Sequence, residues 1–105
     1  MNYILDDNDE PVEIHNILRW AQWMADNGAY YRVNTEIGQG INVSTHFLGI
    51  DHGGIEGTGR PILWETIVFG GIENGYRELY HTKDEAIAGH KEAVIMVRQD
   101  LEESQ

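Results

Sequence analysis

Ile62-Leu63-Trp64-Glu65-Thr66-Ile67-Val68-Phe69 is the most apolar run of the chain, and its β-branched and aromatic residues read as a central strand covered on both faces. Its two faces are Ile62, Trp64, Thr66 and Val68 on one side, and Leu63, Glu65, Ile67 and Phe69 on the other. Only one face can meet helices. The other is a partly apolar surface that calls for a second copy or a partner protein to cover it. Glu65 is the odd residue of the run. If it turns inward it requires Arg32, Arg77 or a histidine beside it, because an unpaired buried carboxylate is too costly to ionise.

Outward from this strand, the chain alternates between period two and period 3.6. Tyr30 to Ile37 puts Tyr31, Val33, Thr35 and Ile37 on one face and Tyr30, Arg32, Asn34 and Glu36 on the other. Gly38-Gln39-Gly40 has the torsional freedom of a hairpin turn, and Ile41 to Leu48 is its second arm. After the central strand, Gly70-Gly71 to Gly75 turns the chain into a last strand, Tyr76 to His81. Tyr3 to Leu5 reads as an edge strand ending in the acidic turn Asp6 to Glu10 and Pro11.

Two helices flank these strands. Glu13 to Asn27 carries Ile14, Ile17, Leu18, Ala21, Met24 and Ala25 at helical spacing, with Gly28 where a left-handed cap is wanted. Thr82 and Glu85 form a capping box that opens the second helix, in which Ile87, His90, Val94, Val97 and Leu101 make an apolar stripe. The expected architecture is α+β: an antiparallel sheet of about five strands with two helices packed on one face, in the order β-α-β-β-β-β-α. Residues 1–105 form a single domain.

Charge and composition exclude several classes. Eighteen Asp and Glu against seven Lys and Arg give a net charge of −11, which opposes any grip on nucleic-acid phosphates and favours a partner with a basic surface. Acids gather from Asp6 to Glu13 and again from Asp84 to Glu103. The chain has no cysteine, which removes thiolate chemistry and suits a reducing cytoplasm. Its start reaches Asp6 too early for a signal peptide, and no apolar stretch is long enough to cross a bilayer.

Four places could carry chemistry. On a wheel at about 100° per residue, the first helix turns Ile14, Ile17, Leu18, Ala21 and Ala25 to the core, leaving Trp20 at the margin and Trp23 nearly opposite. An exposed tryptophan there is a candidate anchor for a partner. His90, mid-stripe in the second helix, reads first as a core histidine satisfied by a carbonyl or hydroxyl, with a depressed pKa. Asp51 and His52 lie in the glycine-rich loop and, with His46 and Glu65, are the candidate metal ligands; their spacing matches no established zinc signature. The same loop, with Gly57 and Gly59, lacks the third glycine and following helix of a dinucleotide site, and lacks the Lys of a P-loop.

The segments Val43-Ser44-Thr45-His46-Phe47-Leu48-Gly49-Ile50-Asp51-His52 and Leu63-Trp64-Glu65-Thr66-Ile67-Val68-Phe69-Gly70-Gly71 resemble a family of small, mostly uncharacterised proteins encoded by bacteriophages and prophages. Leu18-Arg19-Trp20-Ala21-Gln22-Trp23 and Glu85-Ala86-Ile87-Ala88-Gly89-His90 are similar too. Asp51, His52, Glu65 and His90 fall inside the shared pattern and form the candidate functional cluster, whereas the family often has a bulky apolar residue where His46 stands. The resemblance implies a phage accessory protein in the bacterial cytoplasm. It would bind a host protein without catalysis or cofactor, and inhibition of defence or nucleic-acid machinery is the leading reading. The alternatives are a small metal-dependent hydrolase using Asp51, His52 and Glu65, and a virion structural or assembly component. Homo-oligomerisation is compatible with each.

Overall fold

Inward and outward side chains alternate along four consecutive strands, and this alternation decides how the molecule is layered. The computed structural model describes residues 1–53 and 59–103. The strands are β1 (Asn2–Leu5), β2 (Pro11–Ile14), β3 (Arg32–Gly38), β4 (Ile41–Phe47), β5 (Trp64–Phe69) and β6 (Arg77–Tyr80); the helices are α1 (Ile17–Asn27) and α2 (Lys83–Glu103). The class is α+β, with β3-β4-β5-β6 forming an antiparallel meander and β1-β2 a separate hairpin.

The single five-stranded sheet with both helices on one face is therefore corrected. Pro11–Ile14 is a strand, where the sequence suggested a turn running into helix. Its pairing with β1 follows from the acidic turn, in which Asp6 Oδ1 accepts the N–H groups of Asn8 and Glu10 at 2.8 and 3.0 Å. The helix then starts at Ile17 rather than Glu13, because the Asn16 side chain accepts from the Leu18 and Arg19 N–H groups and caps it. Gly28 ends it in a right-handed conformation, φ −56°, and not in the left-handed cap its identity suggested.

The hairpin joins the meander beyond the end of β4, through Tyr3 N–H to Gly49 C=O at 2.7 Å and Asp51 N–H to Met1 C=O at 3.1 Å. Helix α1 packs on this hairpin, whereas α2 crosses the meander. Gly49, at φ 74°, is the seat of α1: a Cβ there would lie 2.7 Å from Met24 Sδ, and its C=O accepts the Trp20 indole N–H at 3.0 Å.

Helix α2 covers Thr35 of β3, Val43 and Thr45 of β4, and Trp64, Thr66 and Val68 of β5. Residues Glu65, Ile67 and Phe69 turn to the opposite face, which no helix covers among the described residues; Phe69 is half exposed there. The core divides in two along α2. Leu5, Phe47, Leu63, Trp64 and Ala86 gather at its start, and Ile41, Val43, Val68, Ala93 and Val97 further on. His90 lies between them. The capping box at the start of α2 is reciprocal: Glu85 N–H donates to Thr82 Oγ1, and Thr82 N–H donates to Glu85 Oε1, both at 3.1 Å.

Candidate functional site

The acidic turn between β1 and β2 docks onto the start of α2 through one residue. Asp9 Oδ2 accepts from Lys83 Nζ at 2.7 Å, and its Oδ1 accepts the Tyr31 O–H at 2.5 Å. The Lys83 hydrogen bond holds the Asp9 carboxyl below its ordinary range, and the Asp9 carboxylate pushes the Tyr31 hydroxyl up to about 12. Tyr31 in turn stacks on Trp23 with ring centroids 5.8 Å apart and meets Trp64 edge-on at 6.1 Å. Lys83 also lies 5.6 Å from the centre of the Tyr31 ring.

Two adjoining cavities open on this side and share Trp64, Lys83 and Ile87 as a common wall; together they are called the trough. The first, about 470 Å³, lies between the acidic turn and the start of α2, with Asp9, Glu10, Asp84, Arg60 and His81 among its lining. The second, about 460 Å³, lies between β3 and α2 and is walled by Tyr30, Tyr31, Val33 and Ile87, with Lys83 and Lys91 among its lining. Thr45 and His90 also line it. Tyr30 at 79% and Val33 at 53% exposure present apolar surface there to solvent. A concave apolar surface with a few polar groups is the general form of a binding site.

His90 is the polar centre of the molecule. Its Nε2 lies 2.8 Å from Thr35 Oγ1 and its Nδ1 lies 2.7 Å from Thr45 Oγ1; Thr45 Oγ1 lies 2.5 Å from Thr66 Oγ1. Thr66 is hydrogen-bonded on to Tyr80. The chain therefore runs from β3 through α2, β4 and β5 to β6. A neutral imidazole satisfies the chain in either direction: Nδ1–H donates to Thr45 while Thr35 donates to Nε2, or Thr45 donates to Nδ1 while Nε2–H donates to Thr35. Burial lowers the His90 pKa, which favours the neutral imidazole. The core-histidine reading is the one this geometry fits.

The other singled-out residues are dispersed. Glu65, 7% exposed, bonds Arg77 and lies 3.5 Å from His46 on the uncovered sheet face, away from His90. Burial, followed by the nearby Arg32, lowers the His46 pKa. Asp51 Oδ1 accepts the N–H groups of Gly53 and Ile62 at 2.7 and 2.9 Å, which holds its carboxyl below the ordinary range. His52 Nδ1 lies 2.7 Å from Ile50 C=O. Among the described residues, no three His, Asp or Glu side chains converge, so His46, Asp51, His52 and Glu65 give a metal no ready set. Gly54 to Thr58, which include Gly57 of the loop reading, lie outside the described residues.

The tryptophans correct the helical-wheel reading. Trp20 and Trp23 turn inward, Trp23 meeting Phe47 edge-on at 5.7 Å, while Ile17 and Leu18 are 57% and 78% exposed. Two indoles and Met24 bury more surface than Ile17, Leu18, Ala21 and Ala25, and they take the core side. What the sequence reading missed is Asp9, Tyr31, Lys83 and Lys91 of the trough, together with the threonine partners of His90. The last carry a signal: Thr35, Thr45 and Thr66 are the hydroxyl residues on inward strand faces opposite a histidine in an apolar stripe.

No protein-family model matches the chain, and neither the curated proteins nor the solved structures contain one significantly similar to it.

Proposed function

We propose that this chain is a non-catalytic binding protein that takes a basic and apolar segment of a partner protein into the trough at the start of α2. The carrying observation is the docking of Asp9 on Lys83 and Tyr31, which brings Asp9 and Glu10 of the turn together with Asp84 of α2 in the first cavity, beside the aromatic second one. The exposed carboxylates supply long-range attraction and orientation for Lys or Arg side chains. Tyr30, Val33 and Ile87 supply apolar surface for an anchor residue. The resemblance to phage-encoded proteins suggests a host protein as partner, with the acidic rim covering a basic functional groove of defence or nucleic-acid machinery.

The test is parallel capture from bacterial lysate with the wild-type chain and with an E10K/D84K variant. The expected result is a protein retained in stoichiometric amount by the wild type, released by added salt and absent from the variant. Equal retention by both chains overturns the reading.

A further inference from the structure

Strand β3 is an edge of the meander, and its open side can be identified residue by residue. Leu48 N–H bonds Leu63 C=O one residue beyond the β4–β5 register, so the backbone groups of His46, Ser44 and Asn42 point to β5. Val43 and Thr45 therefore point to β3, where they meet Thr35 and Val33. It follows that Arg32, Asn34 and Glu36 turn their N–H and C=O groups away from the sheet. Of these, only the Arg32 N–H has an internal backbone acceptor among the described residues, Ala29 C=O at 3.3 Å.

The register of β3 with β4 is regular from Arg32 to Glu36 and shifts only between Glu36 and Gly38, past Arg32, Asn34 and Glu36. At seven residues, β3 is longer than the other edge, β6, at four, and its sequence RVNTEIG contains neither Pro nor Lys. Its outward residues are also self-complementary. Antiparallel pairing with a second copy about a two-fold axis at Asn34 sets Arg32 of each copy opposite Glu36 of the other, on the same face of the joined sheet. Arg32, Asn34 and Glu36 are all exposed, and neither Arg32 nor Glu36 has an ion-pair partner among the described residues. The residues whose backbone groups point outward are the ones this register pairs.

From the open edge and its charge pattern we infer that the chain forms a two-fold dimer by antiparallel β3–β3 pairing, giving a continuous eight-stranded sheet. Asn34 N–H donates to Asn34 C=O of the second copy, and Glu36 N–H donates to Arg32 C=O, each twice by symmetry; the committed Arg32 N–H is not needed. Arg32 and Glu36 form an ion pair on each side of the axis. Val33, 53% exposed, and Ile87, 43% exposed, flank the seam on the α2 side. The edge, rather than the Glu65, Ile67 and Phe69 face, is then the surface a second copy covers.

Sedimentation equilibrium tests this directly. The wild type should run at twice the 12.0 kDa chain mass. R32E and E36R should each raise the dissociation constant about tenfold or more, by setting like charges opposite one another. An equimolar mixture of the two variants should regain the dimer, and the R32E/E36R double variant should dimerise like the wild type, since both arrangements restore opposite charges. In the wild type, hydrogen exchange at the Asn34 and Glu36 amides should slow as concentration rises. A monomer at all concentrations, single variants that dimerise as tightly as the wild type, or exchange at Asn34 and Glu36 independent of concentration overturns the inference.

Discussion

His90 shows how one buried residue ties the layers of this protein together. Both of its ring nitrogens are engaged by threonine hydroxyls, Nε2 by Thr35 and Nδ1 by Thr45, and burial favours the neutral ring. Long-range ¹H–¹⁵N correlation spectra should show one protonated and one unprotonated ring nitrogen near neutral pH; two protonated nitrogens contradict the neutral imidazole. Because burial lowers the folded-state pKa, the unfolded chain takes up the proton first as pH falls. The stabilisation linked to neutral His90 is complete above about pH 6.5 and is lost as pH drops through the folded pKa, with His46 acting in the same sense. A melting temperature unchanged across that interval contradicts this. Thr45→Val removes the hydroxyl partner of His90 Nδ1 and should cost about 1–3 kcal/mol, read by denaturant unfolding.

At the scale of elements, the strands of the meander were legible, the first helix only partly so, and β2 not at all. The alternation from Tyr30 to Ile37 separated the two faces of β3, and the apolar run at Ile62 to Phe69 identified an interior strand, because period-two burial is written directly into residue type. The Thr82–Glu85 box marked the start of α2 because both of its bonds are local. Helix α1 misleads because both its faces are apolar: Ile17, Leu18, Ala21 and Ala25 compete with Trp20, Trp23 and Met24, and the outcome depends on Gly49 and Tyr31, which are remote in sequence. Likewise, β2 hides behind Pro11, because its strand character comes from a partner fixed by the Asp6 turn. The orientation predicts a contrast in unfolding experiments. Leu18→Ala should lie within about 0.5 kcal/mol of the wild type, whereas Trp23→Ala should cost about 3 kcal/mol. The reverse order would restore the wheel reading.

At the scale of the whole molecule, the net charge of −11 acquires a direction. Asp9 lies 74 residues from Lys83 in sequence, so neither the docking of the turn on α2 nor the trough it closes carries a local signal. His90 and Glu65 were recognisable as residues needing partners, but not as residues on opposite faces of one sheet, since that depends on the register between strands. The trough is where charge, apolar surface and concavity meet. The measurement that tests it most directly is an amide chemical-shift titration with two peptides of the same aromatic anchor, one flanked by Lys and Arg and the other by Asp and Glu. The basic peptide should shift Asp9, Glu10, Val33, Lys83 and Ile87 as one group, more weakly as salt rises, while the acidic peptide leaves them in place. Shifts confined to other surfaces, or tighter binding of the acidic peptide, would contradict the account.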